Sequence, residues 1–302
     1  MNSVAPAERA AGSPWLIADQ SRFRADFDRR SFAFGHRLAD HHLFAPERLL
    51  ALARDLARDP RDVYYDAGQV RVDQRWDQTA ICDLPIDYLF NRIETAGAWI
   101  VLRRAEKDPE YAHLLEGCMN EIEALAGRDL SRLIKLRNAI VFINSPHRIS
   151  SYHIDRECNC LLQVRGRKTV SVFDRYDRDV LPEDEIERFW AVDNNSALYK
   201  PQYEDRASKF ELEPGSGVHI PVNSPHWVQN GSEVSISLSI NFHYRDAVLG
   251  DVYRANYWLR RAGLRPAPPE RSPTAAKIKS TVYGVARALR SVAATARGRK
   301  KA

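Results

Sequence analysis

Apolar and polar positions change their rhythm along this chain, and the changes divide it. Residues 45–56 carry the clearest helical spacing of a first region, 19–58, that reads mainly as helix, with Pro46 suited to a first turn. Segments 63–65 and 70–72 read as short strands, 85–96 as helix and 99–102 as strand. Residues 108–126 form a helix with Leu114, Cys118, Ile122 and Leu125 on one face. Short β-branched strands separated by Gly and Pro turns then fill 139–245, interrupted by an acidic helix over 182–190. Such a run predicts a mainly β fold with flanking helices: two antiparallel sheets closed as a jelly roll, open at one end. Trp99, Val101, His219 and Trp227 are candidates to line that mouth, although each aromatic also suits plain core packing.

Composition refines the boundaries. Residues 1–14 are rich in Ala and Pro and read as disordered. A single domain is expected over 15–262, with a helical arm (15–98) and a jelly-roll core (99–245); a Pro-rich linker and a basic helix follow over 263–302. The 302 residues, 44% of them hydrophobic, suffice for a sizeable core. No apolar run approaches the ~20 residues of a membrane span, and the start lacks the apolar core of a signal peptide, so a cytoplasmic location is expected. Cys82, Cys118, Cys158 and Cys160 contain no CxxC pair and read as small buried hydrophobes.

The tail has its own character. Residues 274–302 hold eight cations (Lys277, Lys279, Arg287, Arg290, Arg297, Arg299, Lys300 and Lys301) and no acid, so a chain of net charge +5 has a mildly acidic body. Ile278, Val282, Val285, Leu289 and Val292 fall at helical spacing, which makes a basic amphipathic helix. An anionic membrane surface, nucleic acid, or simple packing on the body are the roles open to it. The four prolines of 266–273 favour a helix independent of the body.

Candidate chemistry centres on Tyr152-His153-Ile154-Asp155 and the distant Pro225-His226-Trp227. Strand side chains alternate, so His153 and Asp155 share a face. Two imidazoles and a carboxylate hold one face of Fe(II) and leave three positions open. An H-x-D triplet alone is weak, since it arises by chance. The segment 157–173 adds weight: it reads as two strands about a Gly166-Arg167 hairpin loop, which would pair Arg165 with Lys168 and put His153, Asp155, Asn159, Arg165 and Lys168 on one face. An inward Lys168 needs an anion, such as the distal carboxylate of a dicarboxylic acid. His147, His219 and His243 read as hydrogen-bonded residues rather than further ligands.

Ser145-Pro146-His147-Arg148-Ile149-Ser150-Ser151-Tyr152-His153-Ile154-Asp155, then Asn159 and Arg165-Gly166-Arg167-Lys168-Thr169-Val170, resemble the core of the JmjC and cupin-like Fe(II)/2-oxoglutarate-dependent dioxygenases, including its factor-inhibiting-HIF-like members. Pro214-Gly215, Ile220-Pro221, His226, Asn230 and Asn241-Phe242 follow the ending of that family, although Ser216 stands where many relatives have Asp. The resemblance covers about half of the chain and implies a double-stranded β-helix. It implies His153, Asp155 and His226 as iron ligands, Lys168 assisted by Ser150 on 2-oxoglutarate, and Asn159 and Asn241 lining the pocket. The activity it implies is hydroxylation of a protein side chain or small molecule, with release of succinate and CO2. A metal-dependent cupin isomerase or lyase without cosubstrate, and a catalytically silent binding module, are the alternatives; Lys168 argues against the first and the intact ligand set against the second.

Overall fold

The computed structural model describes residues 13–78, 84–245 and 248–299, with side chains of the last helix described as far as Leu289. Most of the segment expected to be disordered, together with Cys82, Lys300 and Lys301, lies outside the described residues. In chain order the elements are β1 (Leu16–Ile17), α1 (Gln20–Asp26), β2 (Phe32–His36), α2 (Pro46–Leu56), β3 (Val63–Asp66), α3 (Ile86–Asn91), β4 (Trp99–Leu102) and α4 (Pro109–Ala126). Next come α5 (Leu130–Leu133), β5 (Ile134–Asn144), β6 (Ile149–His153), β7 (Cys158–Arg165) and β8 (Lys168–Val172). The chain continues through α6 (Glu183–Ala191), β9 (Ser208–Leu212), β10 (Ser216–Ile220), β11 (His226–Asn230), β12 (Ser235–Tyr244), α7 (Val248–Arg261) and α8 (Pro273–Arg299).

The strands form an eight-stranded sheet, β1-β2-β10-β7-β12-β5-β4-β3, and a four-stranded sheet, β6-β11-β8-β9. They meet across one apolar layer, in which Leu161, Val218 and Ile220 of the larger sheet pack with Val170, Val172, Leu212 and Val228 of the smaller. Each such side chain removed from water stabilises the fold by about 1.5–3 kcal/mol. β7 lies inside the larger sheet and is covered on both faces, so it is buried at every position but its last. That explains its continuous apolar run, whereas β11 alternates buried and half-buried residues. Register assigns the faces of β7. Asn159 and Leu161 look into the inter-sheet layer, while Cys158 and Cys160 look away from it, Cys160 paired with His219 of β10.

Several sequence expectations change here. Residues 19–58 hold the helices α1 and α2 but also an unexpected strand, because Phe32–His36 alternates strictly and pairs with β10. Residues 70–72 form no strand, and the helix expected over 85–96 is the short α3. The largest correction concerns Gly166-Arg167. It is not a hairpin loop, since β7 pairs with β10 and β12 while β8 pairs with β11 and β9. The link carries the chain from one sheet to the other, and a local pattern of strand, glycine, strand fits a crossing as well as a hairpin. Arg165 is accordingly exposed rather than paired with Lys168. Gln163 braces the crossing: its amide nitrogen donates to the carbonyls of Arg165 (2.6 Å) and Gly166 (3.0 Å), and its oxygen accepts from Ser237 Oγ (2.6 Å).

Backbone proximity divides the chain into two units, residues up to Arg175 with Tyr199–His243, and Tyr176–Leu198 with the chain from Tyr244 onward. The acidic helix α6 thus belongs with α7 and α8. Within that second unit the buried Glu187 carboxylate accepts two hydrogen bonds from Arg260 (2.7 and 2.9 Å). α8 does not stand apart after its proline-rich approach, because Ala276 is buried and Lys279 Nζ donates to Asn256 Oδ1 and the Ala267 carbonyl. Among the described residues no helix is long and apolar enough to cross a membrane.

Gly166 has φ 70°, and a Cβ there would lie 2.5 Å from the Val234 carbonyl oxygen. Gly166→Ala is therefore expected to destabilise the protein by about 2 kcal/mol or more. Chemical denaturation checks this, and an unchanged midpoint would show that the crossing tolerates a side chain.

Candidate metal centre

β6 ends on His153 and β11 begins on His226, and the two are direct cross-strand partners. The next partners are Val228 and Ser150, two residues on one strand against three on the other, which marks a β-bulge in β6. Because of that bulge Ser150 returns to the face that carries His153. Asp155 follows β6 in a loop whose backbone is held by the Asn223 N–H, which donates to the Asp155 carbonyl (2.9 Å). The segments before β7 and before β11 are thereby tied to each other, and the carboxylate is placed between the imidazoles. His153 Nε2 lies 3.8 Å and His226 Nε2 3.6 Å from Asp155 Oδ2, and the three ligand atoms fall within 4.8 Å of one another.

Both rings are oriented by backbone. The Nδ1 of His153 is 2.7 Å from the Ser151 carbonyl and that of His226 3.0 Å from the Ser224 carbonyl. Each carbonyl accepts from an Nδ1–H, which fixes the tautomer and leaves the Nε2 lone pairs aimed at the carboxylate. Burial, and then the neighbouring His153, push the His226 pKa down to about 3, so it stays a neutral donor. Desolvation pushes the Asp155 carboxyl up to about 6. A neutral imidazole and a destabilised carboxylate are conditions that a bound dication relieves.

Lys168 opens β8, paired with Asn230 of β11 and Leu212 of β9. Along that ladder Val172 pairs with His226, so Lys168 shares the inner face with His226 at about 13 Å of strand length. The side chain is buried, and no hydrogen-bond or ionic partner for Nζ is found among the described residues. Desolvation lowers its pKa to about 7. The expectation that Lys168 faces inward therefore holds, for a reason other than the expected hairpin.

Asn159 and Asn241 are register partners, bridged by Ser239: Asn159 Nδ2 donates to Ser239 Oγ (2.9 Å), which lies 3.3 Å from Asn241 Oδ1. Among the described residues Asn159 Oδ1 has no hydrogen-bond partner, nor has the buried Oδ1 of Asn144, a residue that sequence reasoning missed. Ser150, Trp76 and Trp99 line a small cavity beside His153. Below it the buried Asp66–Arg148 ion pair joins β3 to the start of β6. The carbonyls of Ser151 and Ser224 carry no sequence signal, because any residue supplies a carbonyl.

Two mouth candidates lie elsewhere. Trp227 points away from the inner face, with Nε1 donating to Glu204 (3.2 Å). His219 sits on the far side of the larger sheet, stacked on Phe27 at 4.8 Å. There Asp28, Cys158 and His219 form a second cluster of ligand-type groups. His219 Nε2 already accepts the Asp28 N–H (3.1 Å), and the Cys158 thiol donates to Asp28 Oδ1 (3.0 Å). His219 is a hydrogen-bonded core residue, and His243 is paired with Glu157 at 3.0 Å.

No protein-family model and no curated protein matches the chain in sequence. In three dimensions it is similar to E. coli ycfD: the X-ray structure aligns with a TM-score of 0.53 and 16% identity over 89% of this chain and 67% of that one. YcfD described as a ribosomal oxygenase from Escherichia coli, in complex with cobalt and 2-oxoglutarate, aligns with a TM-score of 0.53 and 18% identity over 85% of this chain and 61% of that one. The complex with cobalt and succinic acid gives a TM-score of 0.50 and 16% identity over 90% and 67%. The likeness is one of fold, and this chain spans about two thirds of the length of those proteins.

A buried lysine without an anion weakens the ligand-free protein. Its folded pKa of about 7 lies below the unfolded value of 10.5, so the cost is full below pH 7 and fades as pH rises toward 10.5. Lys168→Met should raise stability by at least about 1 kcal/mol near neutral pH, and by progressively less in alkali. Thermal unfolding across this range tests it; a destabilised variant would mean that Nζ has a partner that offsets its burial.

Proposed function

We propose that this protein is an Fe(II)- and 2-oxoglutarate-dependent oxygenase, a hydroxylase of a protein side chain or small molecule, built on a double-stranded β-helix. The observation that carries the reading is a two-imidazole, one-carboxylate donor set whose imidazoles share an inner face with a buried Lys168 that has no partner among the described residues. The donor set alone would suit many metalloproteins, and a buried lysine alone would suit any anion. Together they match a molecule that chelates metal at one end and offers a carboxylate at the other. The fold shared with a protein described as a ribosomal oxygenase in complex with cobalt and 2-oxoglutarate supports the same reading, and makes a ribosomal protein the first substrate to test.

The donor set fits Fe(II): nitrogen and carboxylate ligands on one face, with the remaining positions open. Bound there, Fe(II) would supply O2 activation coupled to conversion of 2-oxoglutarate into succinate and CO2, with one oxygen atom delivered to a substrate C–H bond. The chain contributes placement. Ser151 and Ser224 hold His153 and His226 in the tautomer that presents Nε2. Lys168 grips the distal carboxylate, with Ser150 on the same face between it and His153. Asn159, Asn144 and Asn241 give the interior a polar lining where an apolar core would cost less, and the apolar layer beneath keeps bulk water out.

His153→Ala, Asp155→Ala and His226→Ala are each expected to abolish Co(II) binding and succinate formation while cooperative unfolding survives. Calorimetric titration with Co(II) and a succinate assay check this, and full activity in any one variant rejects that residue as a ligand.

The Lys168 charge adds a pH signature. Only the protonated amine attracts the carboxylate, so binding raises a pKa that starts near 7. Affinity for 2-oxoglutarate should fall by up to about tenfold per pH unit above 7, and binding at pH 8 should take up nearly one proton. Lys168→Ala should weaken binding by about tenfold or more at neutral pH and flatten that pH dependence. Titration in buffers of different ionisation enthalpy measures the proton; wild-type affinity in the variant would overturn the dicarboxylate assignment.

A further inference from the structure

α8 turns its polar side to α7 and leaves its apolar side in water. Lys279 Nζ donates to Asn256 Oδ1 (2.9 Å) and the Ala267 carbonyl (2.8 Å), and Arg287 pairs with Asp251 at 3.3 Å. Ile278, Val282, Val285 and Leu289 meanwhile are 61%, 64%, 55% and 65% exposed. Their spacing of four, three and four residues makes one continuous stripe. Trp258 of α7, also exposed, adjoins Ile278 and Val282 along a shared groove and widens the apolar surface. A helix docked this way forgoes burial that half a turn of rotation would have provided, so the stripe is shaped for something outside this unit.

Charge selects the occupant. The residues after Glu270 include no acid, and residues 274–302 hold eight cations. At 100° per residue, Lys277 falls on a flank of the stripe, about 110° from its centre, on the side away from Lys279. A second copy would set one acid-free helix against another, cation facing cation. Nucleic acid would answer the charge and leave the stripe wet. A bilayer with anionic headgroups satisfies both, because the acyl boundary takes the aliphatic stripe, the headgroups take Lys277 and the surplus positive charge of the acid-free tail, and Trp258 sits at the interface. We propose that α8, with the adjoining Trp258, docks this protein on an anionic lipid surface. The proposal is independent of the reaction assigned to the metal centre.

The test uses the full chain and co-sedimentation with vesicles of phosphatidylcholine, with and without phosphatidylglycerol. Wild type should pellet with the anionic vesicles and not with phosphatidylcholine alone, and high salt should weaken binding without abolishing it. Ile278→Glu/Val282→Glu should reduce binding at least about tenfold, as should Val285→Ser/Leu289→Ser at the other end of the stripe. These positions are exposed, so the thermal transition should be retained. Absence of binding to anionic vesicles would overturn the proposal, and so would unchanged binding in both folded double variants. Sedimentation velocity separates the rival occupant: a wild-type dimer that the substitutions convert to monomer, with no lipid binding, would identify the stripe as a self-interface.

Discussion

The pairing of His153 opposite His226 across β6 and β11 is the constraint on which the candidate site depends. Strand side chains alternate, so a slip of one residue would send either imidazole to the outer face. That register is held by the apolar layer, because Val228 and Val170, which pack in it, lie on the same ladder as His226 and Lys168. Moving the site would expose the core. The bulge between His153 and Ser150 is the one departure from regular alternation in that pair, and it brings a hydroxyl to the inner face. Core packing thus places the donor set, and two backbone carbonyls finish it.

What could be read from the sequence follows from how local each signal is. The H-x-D spacing singled out His153 and Asp155, but β6 ends at His153, so Asp155 is placed by the loop that Asn223 holds and not by strand alternation. α4 was legible because Asp108 caps its start, Gly127 its end, and its apolar face is periodic. Phe32–His36 was not, since five alternating residues between helices become a strand only when β10 arrives from far along the chain. The Gly166 crossing failed for the same reason: glycine signals that the chain turns, not which sheet it turns into. His219 shows what register adds. As a partner of Cys160 it must lie on the outer side of the larger sheet, a fact available only once that pairing is known.

Lys168 states the tension between stability and function in one side chain. Its side chain is buried at the start of β8 with no counter-ion among the described residues, and in the facing sheet Asn159 and Asn144 each keep an oxygen without a hydrogen-bond partner among the described residues. Such groups are unfavourable in a ligand-free protein. They persist because the surrounding sheets overdetermine their positions: Gln163 braces the crossing two residues before β8 begins, and β8 is flanked on both sides. A ligand that supplies an anion to Lys168 would recover part of this cost on binding, so the same burial that weakens the free fold sharpens selectivity for a dicarboxylate.

Proximity of ligand-type atoms is not enough to make a metal centre, and this chain contains its own control. Asp28, Cys158 and His219 are as close together as His153, Asp155 and His226. The difference is where the lone pairs are spent. At His219 the Nε2 lone pair accepts a backbone N–H, and the Cys158 thiol keeps its proton because burial and the adjacent Asp28 raise its pKa well above the usual value. A cation there would have to break both contacts, beside an Arg128 already paired with Asp28. At His153 and His226 the hydrogen bonds go to the other ring nitrogen, so both Nε2 atoms face the carboxylate with lone pairs uncommitted. The second cluster stabilises a sheet–helix contact, whereas the first is preorganised for a cation, and the direction of a few hydrogen bonds separates the two.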